Sequence, residues 1–174
     1  LMNSEAIFSG FIHRLSAHKV QSIAAHCTER TDMTTSSNTS TPIALITGGS
    51  RGLGRNAALH LARAGVDIVL TYRSSAGEAQ AVAQEIEALG RRAVALPLDV
   101  SQSKSFGDFA AALKQALATT WQRERFDYLV NNAGIGVHAP LAQTTEAQFD
   151  ELVAVHLKGP LLDRKSTRLN SSHT

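Results

Sequence analysis

Thr47-Gly48-Gly49-Ser50-Arg51-Gly52-Leu53-Gly54 is the stretch of this chain whose residue types and spacing could do chemistry. A glycine-rich turn between a strand and a helix presents backbone N–H groups at the positive end of the helix, a geometry that suits a phosphate or pyrophosphate. Its apolar approach, Ile43 to Ile46, and the alanine- and leucine-rich run after it supply such a strand and helix. No Lys-Ser or Lys-Thr pair comes after the glycines, which argues against a Walker A loop. The spacing is G-x-x-x-G-x-G, with glycines at 48, 52 and 54, and not G-x-G-x-x-G.

The elements that must hold this turn are set by periodicity. Ile43 to Ile46 is a short apolar run with β-branched ends, as in a strand buried on both faces. A helix is predicted over Gly52 to Ala64, stopped by Gly65, then a strand over Asp67 to Tyr72. Ala79, Val82, Ala83, Ile86 and Leu89 give the next helix one apolar face, ended by Gly90. A third strand spans Ala93 to Leu98, and Phe106, Phe109, Ala110, Leu113 and Leu117 mark a third helix. A fourth strand spans Asp127 to Asn131, and another helix begins near Thr145, with Phe149, Leu152 and Val153 on one side, expected to point inward. Strands joined by helical crossovers are parallel, and right-handed crossovers place the helices on the faces of the sheet. The expected fold is therefore α/β, a Rossmann-like doubly wound parallel sheet of strands one to four in the order 3-2-1-4. A phosphate site would lie at the carboxyl ends of strands one and four, where the order reverses.

Composition narrows the class. The 174 residues are 43% hydrophobic with few aromatics, enough for one domain with a sizeable core. A formal charge of +2 and no aromatic-interleaved basic patch point away from nucleic acid. The single cysteine, Cys27, excludes an intrachain disulfide and a cysteine-based zinc site, and no metal site is expected. No apolar run is long enough to span a membrane, so no membrane partner is expected and a cytoplasmic location is.

T-G-G-S-R-G-L-G resembles the loop motif T-G-x-x-x-G-x-G of the short-chain dehydrogenase/reductase family, and Asn131-Asn132-Ala133-Gly134 matches that family's N-N-A-G at the end of strand four. The two motifs at this separation, on this alternation of elements, identify residues 42–162 as the N-terminal part of such a protein. The resemblance implies a dinucleotide held by Gly48, Gly49, Ser50, Arg51, Gly52, Leu53 and Gly54, and by Asn131, Asn132, Ala133 and Gly134. Asp99-Val100 resembles the family's adenine-contacting pair, while Asp99 or Ser101 is equally suited to cap the next helix; both can hold.

The end of strand two is where an acid would hydrogen-bond the ribose 2′-OH of NAD. Thr71-Tyr72-Arg73-Ser74 has a cation there and no acid. Arg73 can pair with a 2′-phosphate, and Arg51 is a second candidate; the alternative is that both are solvated surface charges. Two cations at the expected ends favour NADP over NAD.

The family's activity, hydride transfer between NADP(H) and a small-molecule carbonyl or alcohol, is what the resemblance implies, with 3-oxoacyl-carrier-protein reductases as similar members and a homo-oligomeric parent. Two departures qualify it. His156 stands where most relatives carry an Asn that helps hold a water in the proton relay. An imidazole can serve as such a relay element, and the alternative is a satisfied core histidine. Further on, the family's catalytic Ser and Tyr-x-x-x-Lys are missing: Tyr72 and Tyr128 are the two tyrosines, and neither has a lysine four residues on. Residues 163–174 form a polar, basic tract that resembles a translated sequencing-adapter tail, so a C-terminally truncated, inactive fragment is expected. A non-catalytic dinucleotide sensor is the alternative function. Residues 1–41 are expected to lie outside the domain, with a natural start at Met33 favoured over a targeting presequence.

Overall fold

In the computed structural model, which describes residues 41–137 and 139–161, four strands form one parallel sheet in the order β3-β2-β1-β4. They are β1 (Ile43–Ile46), β2 (Asp67–Tyr72), β3 (Ala93–Pro97) and β4 (Tyr128–Val130). Four α-helices accompany them: α1 (Gly52–Arg63), α2 (Ala76–Ala88), α3 (Phe106–Trp121) and α4 (Glu146–Val153), the last running into a π-helical turn, Ala154–Lys158. Ile46 is paired with Leu70 of β2 on one side and with Val130 of β4 on the other. The sheet order is the one predicted. The expectations for residues 1–40 and 163–174 lie outside the described residues.

Strand pleating divides the core in two. Ala44, Ile46, Ile68 and Leu70 face α1 and α2, packing with Leu61, Val82 and Ile86. Ile43, Leu45 and Val69 face α3, against Phe106, Phe109, Leu113, Leu117 and Trp121. Every residue of β1 is fully buried, as a continuous apolar run requires of a central parallel strand. β4, at the edge of the sheet, is only half-buried.

Element ends differ slightly from expectation, for local reasons. β4 is shorter than Asp127 to Asn131. Asp127 is spent on anchoring the strand: its N–H donates to the Ile43 carbonyl at 2.8 Å, and its carboxylate accepts from the Ile43 N–H at 2.8 Å. The same carboxylate is paired with Arg123, a hydrogen bond that holds the guanidinium above its ordinary value. α3 runs on to Trp121 and ends where Gln122 takes a left-handed φ of 53°.

The apolar start of β2 conceals a buried acid. Asp67, 2% exposed, accepts from Trp121 Nε1 at 2.7 Å, from the Arg92 N–H at 3.0 Å and from Arg92 Nε at 3.0 Å. A carboxylate taken out of water needs such donors. This network ties the end of α3 beneath the sheet, at the end of the strands opposite the glycine turn.

The inward face predicted for the last helix needs correction. Phe149 is 59% exposed, Leu152 and Val153 are half-buried, and His156 is exposed. Val155 is the residue that turns inward, at 2% exposure. The wider π turn rotates the residues after Val153 relative to those before it, so a seven-residue spacing from Phe149 no longer marks one face. His156 is therefore not a core histidine.

Candidate functional site: a cleft at the carboxyl ends of β1 and β4

β1 is followed at once by Thr47, whose buried side chain organises the turn. Thr47 Oγ1 accepts from the backbone N–H of Asn132 at 3.0 Å and of Ala133 at 3.1 Å. Asn132 Nδ2 returns two bonds, to the carbonyls of Thr47 and Gly48, each at 3.0 Å. The end of β4 is thus stitched to the start of the glycine turn. On the other side, Gly48 N–H donates to Thr71 Oγ1 at 3.3 Å, and Gly49 N–H donates to the Thr71 carbonyl at 2.8 Å.

The glycines are required by close approach. A Cβ on Gly48, whose φ is +67°, would lie 2.9 Å from Ala133 Cα, and one on Gly49 would lie 2.7 Å from Leu70 Cβ. A Cβ on Gly54 would run into the Gly48 carbonyl and the Asn132 amide. The first turn of α1 is therefore drawn down onto the loop and onto β4. Arg51, at the N-cap, makes no side-chain capping bond. The first N–H groups of α1 thus remain free for an anion.

An open cleft of about 340 Å³ lies over this junction, within the range of small-ligand sites. Of the residues predicted from sequence, Gly48, Ser50, Arg51, Leu53, Arg73, Asp99, Val100, Asn132, Ala133 and Gly134 line it. Gly49, Gly52, Gly54 and Asn131 do not. The packing of Gly49 and Gly54 shows why: they shape the wall from behind. Gly52 (φ +56°) serves the chain's entry into α1, and Asn131 is exposed.

Arg51 and Arg73 both line the cleft, and both are exposed. Asp99 spends one carboxylate oxygen within its own loop, accepting from the Ser101 N–H at 2.9 Å and from Ser101 Oγ at 2.7 Å. It does not cap α3, whose N-cap is Ser105 without a side-chain bond. Tyr72, Ser74, Ile135 and Val155 line the cleft as well, and they are not among the site residues expected from sequence. Ser74 carries a signal, being next to Arg73 at a strand end; Val155 carries none, because the π turn that aims it is set by tertiary contacts. His156 stands beside the cleft's lining, its Nε2 2.8 Å from the Ile135 carbonyl oxygen. Among the described residues no group of three His, Cys, Asp or Glu could hold a metal ion, and no helix is long and apolar enough to cross a membrane.

Known proteins share this arrangement. Residues 42–166 match the short chain dehydrogenase family. The chain is 37% identical over 117 residues to the short-chain dehydrogenase/reductase FrzI of Cladobotryum sp, covering 67% of this chain and 43% of that protein. It is 36% identical over 119 residues to the 3-oxoacyl-[acyl-carrier-protein] reductase FabG of Staphylococcus aureus, covering 68% and 46%. A crystal structure of a short chain dehydrogenase from Burkholderia cenocepacia J2315 in complex with NADP superposes with a TM-score of 0.67 at 34% identity, over 76% of this chain and 52% of that one. The chain thus spans less than half the length of these two curated relatives.

Proposed function

The chain belongs to the short-chain dehydrogenase family, and from that premise we propose that it is the cofactor-binding portion of an NADP-dependent oxidoreductase acting on a carbonyl or alcohol. The observation that carries the choice of cofactor is that Arg51 and Arg73 both line the cleft, with no carboxylate at the end of β2. An acid there would repel a 2′-phosphate, whereas a guanidinium pairs with it. The NADP-bound relative supports the same choice.

The residues present fit such a group. Gly48 lines the cleft without a side chain of its own, and the uncapped start of α1 would offer N–H donors to a pyrophosphate there. Ser50 and Leu53, which line the same cleft, would help hold those phosphates. Val100 and Ala133 give apolar contact for an adenine and its ribose, with Asp99 as hydrogen-bond acceptor, and Gly134 leaves room at the far end. When bound, the nicotinamide supplies or takes up a hydride. His156 occupies the place of the family's relay Asn.

The chain itself holds no Tyr-x-x-x-Lys, so these 174 residues bind the cofactor without turning substrate over. The proposed substrate is a small carbonyl compound or alcohol, with 3-oxoacyl thioesters as the class suggested by FabG. The test of the cofactor is to replace each arginine singly. A charge-assisted hydrogen bond contributes about 1.5–3 kcal/mol, so Arg73→Ala should weaken NADP by roughly tenfold or more and leave NAD unchanged. Equal loss for both nucleotides would refute the assignment.

A further inference from the structure

We propose that Arg55 and Glu85 are a positioning pair: by joining α1 to α2 they set Arg51 and Arg73 at a spacing that suits one phosphate. The effect on nucleotide choice rests on the cofactor reading above; the effect on the two helices does not.

Both helices start at the cleft. Arg51 and Leu53, at the start of α1, line it, and so do Arg73, Ser74 and Ser75, which lead into α2. Arg55 is one turn beyond Arg51, and its backbone N–H donates to the Arg51 carbonyl at 3.2 Å. Its guanidinium turns to α2, where Nη2 donates to Glu85 Oε1 at 2.9 Å and to Oε2 at 2.7 Å. Glu85 lies about two and a half turns into α2, at 3.6 residues per turn.

The rest of what joins the helices is apolar. They share one core cluster, to which they give Ala57, Ala58, Leu61, Ala79, Val82 and Ile86. Apolar burial is non-directional. It holds the helices together, but the alanines offer little side chain to interlock and so restrain sliding along the axis less. An ion pair between fixed points on the two helices restrains that slide. The first turn of α1 has no acid of its own, and a cation near the positive end of a helix is unfavourable there. Glu85 supplies the counter-charge from the neighbouring helix. The side chains are 42% and 45% exposed, so the pair adds little stability; what it adds is register. Arg51 and Arg73 stand at the starts of the two helices, so a slide moves one relative to the other. On the cofactor reading, only the 2′-phosphate needs both.

Charge reversal tests this. Arg55→Glu and Glu85→Arg each replace attraction by repulsion, and the double variant restores attraction with the charges exchanged. In titration calorimetry of the 174-residue chain, each single variant should lower the ratio of NADP to NAD affinity by about threefold, within the roughly two- to fivefold open to an exposed pair. The double variant should recover the ratio. Without nucleotide, the amide resonances of Arg51 and Ser75 should move in each single variant and return in the double one. Long-range attraction alone would instead make Glu85→Arg bind NADP more tightly. That result, an unchanged ratio in either single variant, no recovery in the double one, or resonances that stay fixed would overturn the proposal. Resonances that move and return in a protein with no preference for NADP would uphold the pair and overturn the cofactor reading.

Discussion

Replacing Asn132 tests whether the turn is held together as the hydrogen bonds indicate. Its Nδ2 donates to the carbonyls of Thr47 and Gly48, each at 3.0 Å, and these two bonds fasten the glycine turn to the end of β4. A neutral hydrogen bond contributes about 1 kcal/mol net, and a half-buried carbonyl left behind recovers part of its loss from water. Asn132→Ala should therefore cost about 2 kcal/mol. Asn132→Asp has the same shape but sets a carboxylate oxygen against one or both carbonyl oxygens, so it should cost about 1–2 kcal/mol more than alanine. Urea denaturation followed by the fluorescence of Trp121, the single tryptophan, reads both. Trp121 is buried with Asp67 at the opposite end of the strands, so it reports unfolding rather than a local change at the turn. Alanine within about 0.5 kcal/mol of wild type, or aspartate no worse than alanine, would refute the reasoning.

Gly54→Ala, which puts a methyl into the Gly48 carbonyl and the Asn132 amide, should abolish nucleotide binding in calorimetry and lower stability by about 1–3 kcal/mol, as overpacking does. Asp67→Asn turns an amide N–H towards one of the donors Arg92 and Trp121; a loss of about 2–3 kcal/mol is expected in the same urea assay, with a shift of Trp121 emission in the folded baseline. The 174-residue chain, mixed with NADPH and a panel of ketones and 3-oxoacyl thioesters, should show no NADPH oxidation above the rate without protein, because no Tyr-x-x-x-Lys is present.

How much could be foreseen from the sequence depended on how local each cause is. β1 and β2 were legible because a strand buried on both faces must be a continuous apolar run, and Gly65 and Gly90 marked helix ends through φ values of +89° and +77°. The cleft's two arginines were legible because strand ends fix their place. β4 was overextended by a residue at each end. Asp127 and Asn131 continue its polarity pattern, but the neighbouring backbone groups are taken by β1 and by Thr47. Thr47 itself looked like a strand end, and its role as acceptor for two N–H groups depends on β4 lying alongside. The common face assigned to Phe149 and His156 failed because a π turn has no periodic signature. It arises where Gly159 packs on Val100 and His156 meets Ile135, contacts between segments far apart in the chain.

Titration calorimetry of the 174-residue chain with NADP and with NAD bears most directly on the central claim, that the cleft between the glycine turn and the end of β4 is an NADP site. NADP should bind at least about tenfold more tightly than NAD, a difference of about 1.4 kcal/mol, because on the proposed reading Arg51 and Arg73 would meet the one group by which the two nucleotides differ. Equal affinities, a preference for NAD, or no heat from either nucleotide would contradict it.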